Sequence, residues 1–108
     1  MIMSVRVLQI NFKFSAPGED LKKTFTHVVD EIAAVSGLRW KIWIMNEQTQ
    51  EAGGLYLFDN QESVAAYLEG PLIAGLKDNP ALSEISFKQF NVVKHLTAIT
   101  RGPVKSAA

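Results

Sequence analysis

A chain of 108 residues makes one domain at the usual roughly 100–200 residues each, and 47% hydrophobic against 20% charged residues excludes a disordered tract. Eleven basic and eleven acidic residues cancel to zero net charge, without the basic stripe of a nucleic-acid module. The absence of cysteine excludes disulfides, thiolate catalysis and thiolate-held zinc or iron–sulfur clusters, and fits a cytoplasmic protein.

Met1 to Arg6 lacks the charged and apolar regions of a signal peptide. From Val5 to Phe14 the chain has period two: Leu8, Ile10, Phe12 and Phe14 share one face, and Val7, Gln9, Asn11 and Lys13 the other. This predicts a strand with one strongly apolar side. Pro17-Gly18 ends it. Leu21, Phe25, Val28, Ile32 and Val35 then recur at spacings of three and four, which predicts an amphipathic helix over about Glu19 to Ser36. Gly37 suits the left-handed stop behind it.

A second strand is expected over Leu38 to Asn46 and a third over Glu51 to Phe58, joined as a hairpin by the polar loop Glu47-Gln48-Thr49-Gln50. With the hairpin centred on Gln48, Trp40 faces Tyr56 and Trp43 faces Gly53. Trp40, Ile42 and Ile44 then share one side, and Arg39, Lys41, Trp43 and Met45 the other. A slip of one residue would exchange the sides. Asp59 and Glu62 have capping-box spacing for the next helix, which carries Val64, Tyr67, Leu68 and Leu72 inward. Gly70-Pro71 breaks that helix, with Pro71 placed in the first turn of a second short one. Its apolar run Val64 to Leu68, the longest in the chain, is far short of the about 20 residues that span a membrane. The fourth strand is expected over about Glu84 to Val93, and Lys105 to Ala108 as a mobile end.

The order β-α-β-β-α-β predicts an α+β, ferredoxin-like single domain, with a core over about residues 5–93 and a tail over 94–108. Helices cover one face of such an antiparallel sheet. On the other side this reading puts Val7, Trp43, Met45, Leu55 and Leu57 beside Gln9, Asn11, Arg39 and Lys41. A mixed apolar face of that size predicts a homodimer that packs sheet on sheet.

Trp40-Lys41-Ile42-Trp43, Glu51-Ala52-Gly53-Gly54-Leu55-Tyr56-Leu57-Phe58, Ala66-Tyr67-Leu68-Glu69 and the first strand together resemble the YdhR-like family of monooxygenase-type proteins, within the dimeric α/β-barrel superfamily. The resemblance covers about residues 5–93. It implies a ferredoxin-like protomer paired through its sheet, and cofactor-independent oxygenation of a small aromatic or quinol-like compound. Two departures are the break at Gly70-Pro71 and the unmatched segment after Val93. A small hydrophobic-ligand binder and a non-oxidative isomerase or decarboxylase on the same scaffold stand as alternatives.

Trp40, Tyr56 and Tyr67 are the candidate substrate-binding residues, since flat ligands stack on aromatics and phenols orient them. Plain core packing competes with that role. His27, four residues before Glu31, is a candidate base, against a solvated helix flank, and His95 is placed near a pocket mouth at the end of the last strand, against an exposed linker. Lys41 and Glu51 share a side in this register and can polarise a substrate oxygen, take a proton or pair as ions. The spacing of the histidines suggests no metal site. Gly53-Gly54 is not a phosphate loop, and no Walker, Ser-His-Asp, nicotinamide or flavin motif occurs. In line with the resemblance, the expectation is no cofactor and no metal; if the protein is an oxygenase, a deprotonated phenol or quinol supplies the electrons, and no nucleic-acid or membrane partner is expected.

Overall fold

The computed structural model describes residues 4–104. The tail Lys105 to Ala108 and the first three residues of the N-terminal segment lie outside them. The elements run β1 (Arg6–Phe14), α1 (Gly18–Ala33), β2 (Leu38–Asn46), β3 (Glu51–Phe58), α2 (Gln61–Leu68), α3 (Pro71–Asp78), β4 (Leu82–Asn91) and α4 (Lys94–Ile99). The four strands form one antiparallel sheet in the order β2-β3-β1-β4, the ferredoxin-like arrangement expected from the sequence.

The alternation of β1 decides the layering. Leu8, Ile10, Phe12 and Phe14 are buried against the helices, together with Leu21 and Ile32 of α1, Val64 and Tyr67 of α2 and Ile73 of α3. Gly37 takes the left-handed conformation, φ 83°, that turns the chain from α1 into β2. Pro71 opens α3 as expected, because the first helical turn needs no proline N–H.

The hairpin corrects the sequence reading. Asn46 pairs with Glu51 across a four-residue loop, which moves the pivot from Gln48 to between Gln48 and Thr49. Trp40 therefore faces Leu57 and Trp43 faces Gly54. The one-residue difference exchanges the two sides of β2, because side chains alternate along a strand. Lys41, Trp43 and Met45 point toward the helices, and Trp40, Ile42 and Ile44 lie with Leu55 and Leu57 on the helix-free face. A bulge between Leu38 and Trp40 sits where the helix-free side of β2 begins.

Two further corrections concern termini. The cap of α2 is Asn60, whose Oδ1 accepts from the Ser63 N–H at 2.8 Å, while the expected cap Asp59 accepts from Arg39 Nε at 2.6 Å. The segment after β4 forms α4, which the sequence pattern did not reveal. Behind α4 the chain returns from the β4 edge to the opposite edge strand. The Trp40 indole N–H donates to the Pro103 carbonyl at 2.7 Å, and Arg39 Nη1 donates to the Val104 carbonyl at 3.1 Å.

Candidate active-site cavity

Between the helix-bearing face of the sheet and helices α1 and α3 lies a cavity of about 350 Å³. Its floor comes from the alternation of β1, β2 and β3, which sends Phe12, Lys41, Trp43 and Tyr56 to this side. The α1 stripe closes one side through Phe25 and Val28, and α3 the other through Leu72 and Leu76.

Two aromatic clusters flank the floor. Phe25 stands between Phe12 and Trp43, with ring centroids 6.4 and 5.0 Å away. Tyr56 lies 5.3 Å from Tyr67 and 6.0 Å from Phe58. The Tyr67 hydroxyl donates to the Tyr56 hydroxyl at 3.3 Å. Burial, with the Tyr67 hydroxyl beside it, holds Tyr56 far above the usual tyrosine range, so it stays protonated and able to donate. Burial raises Tyr67 as well, partly offset by its bond to Tyr56.

Lys41 joins the two clusters. Its Nζ lies 3.3 Å from the Trp43 ring centroid and 4.6 Å from that of Tyr56. Gly54, opposite Trp43, makes room for it: a Cβ there would sit 2.6 Å from Lys41 Cε and 3.1 Å from the Tyr56 ring. No carboxylate among the described residues reaches ion-pair distance of Lys41. Desolvation lowers its pKa from 10.5 to about 7. Contact with the Trp43 face favours the ammonium and works against that shift, but burial of an unpaired charge is the larger effect.

The sequence candidates separate accordingly. Tyr56 and Tyr67 meet at the cavity. Trp40 does not line it, since the hairpin register turns it to the other face; Trp43 takes the aromatic position expected for it. Lys41 and Glu51, expected on one side, face opposite sides of the sheet, with Glu51 across from Lys13. His27 and His95 are exposed on α1 and α4, and neither lines the cavity. An iron held there would find no imidazole ligand. Among the described residues no group of three His, Asp or Glu side chains is placed to hold a metal ion, and no helix is long and apolar enough to cross a membrane. Phe25 and Lys41 complete the site. The α1 periodicity places Phe25 inward, whereas Lys41 becomes legible only once the loop register is known.

Solved structures share this architecture. A protein of unknown function from Nitrosomonas europaea superposes with a TM-score of 0.70 at 17% identity, over 84% of this chain and 91% of that one. A protein described as a "putative antibiotic biosynthesis monooxygenase" from Deinococcus radiodurans gives 0.65 at 13% identity, over 81% and 91%. The heme-degrader MhuD from Mycobacterium tuberculosis, solved with two hemes bound in its active site, gives 0.63 at 24% identity, over 81% and 95%. At these identities the likeness concerns the fold. No curated protein matches the sequence. The family described as "Putative mono-oxygenase ydhR" matches residues 7–103, from β1 through the segment behind α4. The chain belongs to that ydhR family.

Proposed function

We propose that the cavity holds a small aromatic or quinol-like compound and that the protein oxygenates it without a metal or organic cofactor. The carrying observation is the pairing of two aromatic clusters with one amine and two phenol hydroxyls in a mainly apolar space whose other polar lining is Thr24, Glu31 and Asn79. A flat ring fits against Phe25 and Trp43, and the Tyr56 hydroxyl orients a ring oxygen. Family membership supports a monooxygenase-like role. An acidic phenol can supply the electrons itself. Phenol plus O2 gives quinone plus water: the ring loses one C–H and one O–H hydrogen and gains one oxygen atom, and the second oxygen atom leaves as water. The protein then supplies a dry, oriented site. The test is oxygen uptake by metal- and flavin-free protein with a panel of anthrones and hydroquinones. Uptake in proportion to quinone formed is expected. Binding without uptake would leave a ligand carrier and overturn the oxygenase reading.

We also infer that the protein works as a homodimer joined through the helix-free face. Ile42 and Phe90 are about half exposed there, at 49% and 47%. Val93, Leu96 and Ile99, in and beside α4, are more exposed still. An apolar surface of this kind suits self-complementary packing about a two-fold axis. The residues differ from those expected: Trp43 and Met45 belong to the cavity side, and Ile42 and Ile44 replace them.

A further inference from the structure

We propose that Lys41 is the base of this site: its neutral amine takes the hydroxyl proton of an acidic phenol or enol, and the resulting ammonium holds the aromatic anion in the cavity. The proposal rests on the reading of the cavity as an aromatic-ligand site and names the group that the chemistry there requires.

The geometry carries the assignment. Lys41 is the cationic side chain of the cavity, inserted between the Trp43 and Tyr56 rings. Among the described residues it has no ion-pair partner and makes no side-chain hydrogen bond. A structural lysine normally leads its ammonium out to water or to a carboxylate. Here β2 aims it inward, and Gly54 removes the side chain that would displace it. Few titratable groups face it from the surrounding elements. β3 contributes Tyr56 and α2 contributes Tyr67, both held protonated. The exposed Glu31 of α1 lines the cavity beyond ion-pair reach of Lys41. β1, α3 and β4 contribute no ionisable side chain to the lining.

The transfer is balanced: ArO–H and the Lys41 amine become ArO⁻ and the Lys41 ammonium, with no change of net charge in the cavity. The ion pair satisfies both partners in a poorly solvated space, where charge-assisted bonds are strong. A lowered pKa near the working pH, about 7, suits such a base.

The test uses two probes in a Trp40→Phe background, where Trp43 is the sole tryptophan and its fluorescence reports occupancy. The probes are 4-nitrophenol, whose absorbance distinguishes phenol from phenolate, and 4-nitroanisole, which cannot ionise. The expected result is that both quench Trp43, and that bound 4-nitrophenol shows the phenolate band at a pH where the free probe is still phenol. Lys41→Met should then abolish the bound phenolate band and weaken 4-nitrophenol about tenfold, the loss of one charged hydrogen bond. It should leave 4-nitroanisole binding within about twofold, which also certifies the variant's fold. A bound probe that stays phenol in the native cavity, or a phenolate band that survives in Lys41→Met, overturns the proposal while the pocket stands. Failure of 4-nitroanisole to quench Trp43 overturns the underlying aromatic-site reading instead, and the proposal with it.

Discussion

Lys41 fixes the sign of one pH dependence. Its folded-state pKa, about 7, lies below the 10.5 of a free lysine. Between those values the unfolded chain binds the extra proton, so stability rises with pH across that window by about 1.4 kcal/mol per pH unit for this group. Below pH 7 both states are protonated and the burial penalty is full; above 10.5 it is gone. Lys41→Met removes the penalty. In chemical denaturation the variant should be more stable than the native protein near pH 7, and the gap should shrink as pH rises toward 10.5. A gap independent of pH would contradict the buried lysine.

Tyr56 and Tyr67 call for a different test, because each hydroxyl is the other's partner. Tyr56→Phe leaves the Tyr67 donor buried without an acceptor, a cost of about 1–3 kcal/mol, whereas changing both to Phe removes donor and acceptor together. The double variant should therefore lose clearly less than the sum of the two singles in thermal denaturation. Additive losses would mean the two hydroxyls do not interact. Ligand affinity should also fall in Tyr56→Phe, by about 0.5–1.5 kcal/mol for one neutral bond.

Among the elements, the strands and first helix were legible because their periodicity reflects burial directly. β2 and β3 keep the limits expected for them. Which way β2 faces was not legible. Ile42 and Ile44 are more hydrophobic than Lys41, so polarity alone turns the wrong side inward. The four-residue loop with Gln50 at φ 56° overrides that pattern. A lysine aimed into a core against its own polarity is where local preference yields to the site. The cap of α2 was misplaced for a similar reason. Asp59 has the capping-box spacing, but Arg39 engages it, and the neighbouring Asn60 performs the capping. Asn60→Ala should cost about 1 kcal/mol of stability, the usual value of a lost cap. If Asp59→Ala costs as much and Asn60→Ala nothing, the capping assignment fails. α4 stayed hidden because it buries no residue and so leaves no amphipathic signature.

At the scale of the whole molecule, the sheet separates two tasks. One face carries the cavity, and the other carries the surface inferred to join two copies. Leu57 is wholly buried within a single chain, so a charge there would unfold the protomer rather than part a dimer. Ile42, about half exposed, is the sharper site. Light scattering should give twice 12.0 kDa for the native chain and 12.0 kDa for a folded Ile42→Lys variant. Lys22→Glu, on the outer side of α1, should remain dimeric. A native chain that stays monomeric at micromolar concentration would contradict the inferred assembly.

Both the proposed oxygenation and the role of Lys41 require an aromatic ligand in the space between α1, α3 and the β2–β3 floor. A crystal structure of the protein soaked with 1-naphthol tests this most directly. One ring system per chain is expected against Phe25 and Trp43, with its oxygen within hydrogen-bond reach of Lys41 Nζ or the Tyr56 hydroxyl. Naphthol bound only on the Ile42 face, or a cavity closed by side chains with no ring in it, would contradict it.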